Sequence, residues 1–353
     1  MWALVLKEFR QVRRDHRTLA MMIVMPLLLL VVFGYAASFD VEEVTTVVTG
    51  PRASTTEGRL SGLFEVTGSH EAWDRSDAID HLRNGDSVVA VVTGEGAGPE
   101  VLVDGTELFS ARAAVTALAQ IQNSPQPEVL FNPDLDTSAV MVPALAGMIL
   151  IFVGTMITSL GVVRERQSGT LEQLAVMPFR PRDVFVGKVA PYFVVAAIDL
   201  TVIVGVGTWV FDVPFNGSVW LLAVGSLLFL FVTLGLGVLI SSVSANQGQA
   251  IQLALMSLLP QILLSGMIFP VASMAAGIRW ISYGLPLTYF VQIARGVMVR
   301  GEGIGGLWFP LVALAGLGLV IFTFALVRFR RDLAPARPMR SPIAMRVAQG
   351  EAG

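Results

Sequence analysis

The run Ala139-Val-Met-Val-Pro-Ala-Leu-Ala-Gly-Met-Ile-Leu-Ile-Phe-Val-Gly-Thr-Met-Ile-Thr-Ser-Leu-Gly-Val162 carries no charge, and Val163-Arg-Glu-Arg166 follows it at once. A bilayer core needs roughly 20 apolar residues of helix. Lipid offers no partner to an open peptide group, so such a run crosses as a helix. The arginines at its end mark the cytoplasmic side. Working outward, five more runs have the same character, at 18–38, 184–210, 218–241, 249–268 and 307–327. The expected fold is a mainly α-helical polytopic membrane protein with six transmembrane helices plus a small α/β extracytoplasmic domain between the first two. Composition agrees: the chain is 54% hydrophobic and 14% charged, where a soluble domain carries roughly a quarter charged residues.

Charge placement orients the spans. Lys7, Arg10, Arg13, Arg14 and Arg17 precede the first run. Arg164, Arg166, Arg180, Arg182 and Lys188 surround the loop 163–183, and Arg328, Arg330, Arg331, Arg337, Arg340 and Arg346 fill the tail. Segment 39–138 instead holds 17 of the 27 acidic residues and five arginines. The inside rule then puts both termini in the cytoplasm and 39–138 outside, in a multi-pass protein of the plasma membrane. The first run is as long as a span and no small-residue cleavage site follows it, so it reads as a retained helix rather than a signal peptide.

Segment 39–138 is too long for a structureless connection. Its pattern predicts strands at Val44–Thr49, Ser87–Thr93 and Glu100–Asp104, and helices at Thr55–Phe64, Ser76–Arg83 and Thr106–Gln122. Residues 123–133, with three prolines, read as the return linker. Its carboxylates Glu42, Glu43, Asp74, Asp77 and Asp80 are scattered rather than spaced as a calcium loop, which favours a solvated acidic surface over a cation site. Residues 1–17 place Trp2, Val5, Phe9 and Val12 on one helical face with arginines around the rest. That is an amphipathic helix on the inner membrane surface, either a topology signal or also a contact for a cytosolic partner. The outer segment 269–306 carries Trp280, Tyr283 and Tyr289, aromatics suited to a membrane boundary, between Pro270, Pro286 and several glycines. It predicts one or two short helices lying at, or dipping into, the outer interface.

Several chemistries are excluded. There is no cysteine, so no thiol nucleophile, disulfide or cysteine-held metal. His16, His70 and His81 do not suggest a metal cluster. No G-x-x-x-x-G-K-[ST] loop occurs, and Gly187-Lys188 lacks both the preceding glycine and the following hydroxyl. The chain is not expected to hydrolyse ATP by itself, to hold a cofactor, or to bind nucleic acid.

The loop Val163-Arg-Glu-Arg-Gln-Ser-Gly-Thr-Leu-Glu-Gln-Leu-Ala-Val-Met-Pro178 resembles the region after the second span of ABC-2 type transporter permeases, with its R-E-R-x-x-G-T-L-E-x-L-x-x-x-P pattern. Phe131-Asn-Pro-Asp-Leu135, Met141-Val-Pro143, Leu264-Ser-Gly-Met-Ile-Phe-Pro270 and Leu285-Pro-Leu-Thr-Tyr-Phe290 with Arg295 and Gly296 look like that family's other signatures. The resemblance covers nearly the whole chain, including the large outer domain found in one branch of the family. Met274-Ala275 departs from the family's frequent Met-Pro. The resemblance implies an exporter subunit that pairs with a second permease copy or paralogue. It also implies a cytosolic ATP-binding subunit that binds ATP and Mg, docked on a short helix carrying Arg164, Glu165, Arg166, Gly169, Thr170, Leu171, Glu172 and Leu174. The residues themselves allow this: mixed charges, an apolar face at Leu171 and Leu174, and a turn at Gly169. They equally allow a solvated positive-inside loop.

Asp199 is the acidic residue near the middle of a span, costing roughly 2.5–3.5 kcal/mol on insertion. It must face a helix, a cavity or a second copy, as a path residue or as a hydrogen-bonded structural one. Thr155, Thr158, Ser159, Asn246, Gln249, Gln252 and Gln261 trim the second and fifth spans. Such groups usually hold helices together at roughly 1 kcal/mol each. The alternative is a cavity lining, with Asp199, Thr155, Ser159, Gln252 and Gln261 as the candidate translocation path. Gly205, Gly207, Gly235 and Gly237 read as close-packing sites. Two other functions compete. An ion-gradient-driven secondary transporter predicts several intramembrane charges and internal symmetry, and a membrane sensor with an outer ligand-binding domain predicts a cytoplasmic signalling domain. Asp199 stands alone, no repeat is apparent, and 26 residues follow Val327.

Overall fold

The computed structural model describes residues 41–333 apart from 42, 59, 61, 95–97, 122–124, 169–180, 272, 273 and 275. The expected first span, 18–38, and the N-terminal helix, 1–17, lie outside the described residues.

Between them and the next apolar run lies a sheet domain. Its elements are β1 (Val44–Thr49), α1 (Ala53–Glu57), β2 (Phe64–His70), α2 (Arg75–Arg83), β3 (Val89–Val92), β4 (Glu100–Asp104), α3 (Leu108–Gln120) and β5 (Glu128–Leu130). The sheet runs β2-β1-β3-β4-β5. Its pairs are parallel except for β3 with β4. Alternation along the strands builds two cores. Val44, Val48, Val89, Val91, Val101 and Val103 pack with Ala111, Ala114 and Leu118 of α3. Val47, Ala90 and Leu102 pack on the other face with Ala78 and Leu82 of α2. Helix α2 is started by Asp74, whose carboxylate accepts from the Ser76 and Asp77 amides while Asp77 returns the bond, a capping box.

Strands β1 and β4 occupy the predicted ranges. The helix predicted over Thr55–Phe64 ends at Glu57, and Phe64 opens a strand instead. Gly58 and Gly62, the latter at φ +79, interrupt the helix, and β2 is a half-exposed edge whose polar residues hide its period. The linker 123–133 contains β5, three residues that pair with β4, with Glu128 also bonded to Arg75.

The bundle consists of α4 (Thr137–Gln167), α5 (Pro181–Val210), α6 (Val219–Val243), α7 (Gln247–Leu264), α8 (Ala276–Ser282), α9 (Pro286–Arg295), a π-helical turn (Gly296–Arg300) and α10 (Ile304–Leu333). Among the described residues four helices are long and apolar enough to cross a membrane: α4, Phe193–Val210 of α5, α6, and Ile304–Ala325 of α10. The expected span 249–268 is shorter than read. Helix α7 stops at Leu264, and Gly266 takes φ +82. Gln247, Gln249, Gln252 and Gln261 lie along α7.

Helix α4 packs against α5, α6, α7 and α9. Lipid is as apolar as the helix faces, so close packing rather than water exclusion selects the contacts. Small residues allow it. A Cβ on Gly237 of α6 would sit 2.7 Å from Thr158 Cβ, one on Gly207 2.7 Å from Val142, and one on Gly235 3.0 Å from Ile321. A Cβ on Gly205 would meet nothing within 4 Å among the described residues. The segment 269–306 goes further into the protein than an interfacial helix. Helix α9 is buried almost throughout, Phe290 stacks on Phe229 of α6 at 4.5 Å, and the π turn continues it inside the fold. Trp280 and Tyr283 stay exposed, whereas Tyr289 is buried.

Candidate coupling and translocation sites

At the end of α4 farther from the sheet domain, Arg164 is exposed and Glu165 half-buried. Arg166 turns back into the bundle. Its guanidinium donates to the carbonyl oxygens of Ser241 and of Ser244, the latter at 3.0 Å. Those carbonyls close the last turn of α6, where backbone acceptors lack helical partners and a cation meets the negative end of the helix dipole. Beside this contact Gln247 Nε2 donates to Gln167 Oε1 at 3.1 Å, and Asn246 caps α7 through its side chain, which accepts from the Gln249 amide at 2.9 Å. The base of the loop is therefore fastened to the turn between α6 and α7. Gly169, Thr170, Leu171, Glu172 and Leu174 lie outside the described residues.

Of the path candidates, Thr155 is buried and donates to the Thr233 carbonyl at 3.4 Å. Ser159 is buried and donates to the Met156 carbonyl within its own helix. Thr155 also borders a narrow cleft between α4 and α7 with Ser257 and Leu258. Gln252 is half-buried on α7. Gln261 is buried and donates to the Ser257 carbonyl at 3.4 Å, while its Oε1 has no hydrogen-bond partner. Asp199 is half-buried on α5, a helix that exposes Val194, Val195, Ile198, Val202 and Val206. No hydrogen bond among the described residues joins Asp199 to the other four. The structure thus groups Thr155 with α7 and leaves Asp199 apart. Near the loop end, an open groove of about 600 Å³ lies between α6, α7 and α10, lined by Leu239, Ile240, Val243, Leu253, Met256 and Phe324 among others. Such a lining accepts apolar groups.

The sheet-domain end holds a constellation of which reading the sequence named Arg295 alone, as part of a motif. Arg295 is buried at the end of α9 and makes three backbone contacts. Nε donates to Val140 O at 3.3 Å, Nη1 to Gly266 O at 3.2 Å and Nη2 to Met267 O at 3.0 Å. It thereby ties α9 to the start of α4 and the bend after α7, and Glu107 of the sheet domain lies 4.0 Å away. Burial lowers its pKa, and Glu107 opposes that shift. Five residues on, Arg300 is also buried, 3.6 Å from Asp104 and 2.9 Å from Glu302. Burial pushes Asp104 from its ordinary 3.8 up to about 6, with Arg300 pulling down. Burial pushes Glu302 from 4.5 to about 7, again against Arg300. A cavity of about 240 Å³ lies alongside, bordered by Asp86, Ser87, Asp104, Glu107, Arg295 and Arg300. One signal was available. Two arginines stand among apolar residues on the side that the inside rule leaves poor in arginine. What they pair with is not readable from chain position.

A bundle of apolar helices, with a buried helical arm and a sheet domain inserted ahead of it, defines the class: a polytopic membrane protein with a separate soluble lobe. A family model described as ABC-2 family transporter protein matches residues 16–327, and the chain belongs to that family, the permeases of ABC transporters. It is 27% identical over 372 residues to the probable multidrug ABC transporter permease YbhR of Escherichia coli (strain K12), covering 94% of this chain and 99% of that protein. It is 29% identical to the probable multidrug ABC transporter permease YbhS of the same organism, covering 85% and 88%. It is 32% identical to the inner membrane transport permease YhhJ, over 58% of this chain and 54% of that one.

Proposed function

We propose that the chain is the membrane subunit of an ATP-driven exporter, crossing the plasma membrane six times with both termini in the cytoplasm and the sheet domain outside. Two copies, or one copy with a paralogue, form the path. A separate cytosolic subunit binds ATP and Mg and docks on the loop 163–183 through Arg164, Glu165, Thr170, Leu171, Glu172 and Leu174, with Gly169 giving the turn. The chain itself performs no hydrolysis. Work enters at the loop and is passed to the bundle.

The observation that carries this reading is the fastening of Arg166 to Ser241 and Ser244, with Gln167 on Gln247. A push on the end of α4 reaches the start of α7 through these bonds, and α7 carries Ser257 beside Thr155, with Gln252 and Gln261 elsewhere along it. Bistable packed elements of this kind turn a small displacement at one end into a change of helix arrangement. Asp199, on the exposed face of α5, is proposed to meet the second copy.

The test is co-purification. Leu171→Arg with Leu174→Arg should reduce the ATP-binding subunit recovered with the chain by about tenfold, as loss of an apolar anchor does at an interface. Recovery unchanged from wild type, or no ATP-binding subunit recovered with the wild-type chain co-expressed with its genomic neighbours, sinks the reading. In that case an ion-gradient-driven transporter or a sensor becomes the better account.

A further inference from the structure

The two buried arginines at the sheet-domain end differ in what holds them. Arg295 gives its hydrogen bonds to carbonyls of α4 and of the bend after α7, with Glu107 of the sheet domain only at the limit of ion-pair distance, 4.0 Å. Arg300 reaches the sheet domain instead. It faces Asp104 at the end of β4, and its Nη1 lies against Gly85 so closely that a side chain there would collide with it. Glu302, two residues on, closes the group from the other side. Near it the turn after α2 meets the first turn of α10, where a Cβ on Gly306 would lie 2.7 Å from Asn84 Oδ1.

We infer that Arg300, Asp104 and Glu302 form a latch that positions the sheet domain on the α9–π arm, and that the latch parts when the bundle opens on that side, making the sheet domain a moving element of the exit. The opening step rests on the reading of the chain as an ATP-driven exporter. The latch itself rests on the geometry.

Four observations support it. First, the join is ionic where an apolar one would serve as well. Buried ion pairs are no better than packed apolar groups at holding two bodies together, but they re-hydrate on separation and leave no exposed apolar patch. Second, the group is incompletely bonded. Asp104 Oδ2, Arg300 Nε and Glu302 Oε1 are buried without an aligned hydrogen bond, although the ions are within 4.0 Å of one another. Buried polar atoms are nearly always satisfied, so a buried cluster with three unaligned atoms calls for an explanation, and a joint with a second arrangement supplies one. Third, the roughly 240 Å³ cavity reaches Asp104 and Arg300 from the join between the two bodies, giving a space that water could fill as they separate. Fourth, Arg300 sits on a π turn that ends at Gly301 with φ +67, and π turns concentrate at functional places in helices. The other charged groups facing the cluster are Asp86 and Arg83 from the end of α2 and the turn after it, Glu107 ahead of α3, and Arg295 from α9.

The chain has no cysteine, so a single engineered pair reads the latch without background. Asn84→Cys with Gly306→Cys puts two thiols at a contact where a Cβ on Gly306 would lie 3.3 Å from Asn84 Cγ, the atom that Sγ of a cysteine replaces. In lipid nanodiscs the chain alone, treated with copper-phenanthroline, should cross-link. Arg300→Gln in the same background should slow cross-linking by about threefold as the closed population falls, and Asp104→Asn should act in the same direction. In the complex with its ATP-binding subunit, the vanadate-trapped state should cross-link about fivefold more slowly than the nucleotide-free state. Absence of a cross-link in the chain alone, or a rate untouched by both substitutions, overturns the latch. Equal rates in the trapped and nucleotide-free states of a complex that hydrolyses ATP overturn its opening. Failure of an ATP-binding subunit to co-purify strikes the exporter reading and leaves the result on the chain alone standing as the measure of the latch.

Discussion

The two ends of the bundle are fastened by arginines in opposite ways. At the loop end, half-buried Arg166 donates to the carbonyls of Ser241 and Ser244, neutral acceptors at the end of α6. At the domain end, buried Arg300 faces two carboxylates, one from each of two bodies. A cation on carbonyls extends one helix end and can be lost at modest cost, with water replacing it. A cation between buried carboxylates leaves uncompensated charge when it is removed. The first arrangement suits a stiff mechanical link, the second a joint with two states.

The comparison breaks most visibly at Arg300. Arg300→Leu strands Asp104 and Glu302 in the interior and should destabilise the chain by about 3–5 kcal/mol, read as the denaturant midpoint in detergent. A loss no larger than that of an exposed substitution means the carboxylates are already neutral in the folded protein. Arg166→Ala removes charge-assisted bonds near solvent and should cost about 1–2 kcal/mol by the same measurement. On the proposed exporter reading it should also lower transport by more than that stability loss explains, because the link from the end of α4 to the turn before α7 is cut. Equal costs at the two arginines would erase the distinction drawn here.

The smallest effect is on pH dependence, and its sign is opposite to that of most carboxylates. Asp104 and Glu302 have folded pKa values of about 6 and about 7, above their ordinary 3.8 and 4.5. The folded protein therefore binds more protons than the unfolded one between those values. Their contribution to stability is full below pH 3.8 and is lost as pH rises through about 7. Asp104→Asn should flatten this slope between about pH 4 and 6 and leave the Glu302 part, which extends to about pH 7, while Arg166→Ala should leave both unchanged. A slope that survives Asp104→Asn with Glu302→Gln assigns it to other groups.

Reading the sequence was surest where a physical signal is local. The runs at 139–162, 218–241 and 307–327 lie within helices because an apolar stretch of that length has one outcome in lipid. Strands β1 and β4 followed from short valine-rich runs, Val44–Thr49 and Glu100–Asp104. Signals failed where the determinant is a partner. Strand β2 is recognisable only by its pairing with β1, and β5 by its pairing with β4. The segment 269–306 read as interfacial because of its aromatics, yet α9 is buried, since Leu287, Phe290 and Ile293 find α4 and α6 waiting. Arg166 was legible as part of a motif, but its turn back toward Ser241 was not.

The membrane class and the distribution of charge were thus determined by the sequence alone, because hydropathy and charge act residue by residue. The family resemblance too was carried by local motifs, the loop 163–178 above all. The tertiary structure decided that Arg295 gives its hydrogen bonds to bundle carbonyls, with Glu107 at 4.0 Å, while Arg300 pairs with Asp104 of the sheet domain. Two arginines five residues apart look alike in the chain. Only the fold brings Val140, Gly266 and Met267 to one, and Gly85 and Asp104 to the other. A buried charge takes its role from whatever long-range partner compensates it, and that partner is set by packing rather than by sequence position.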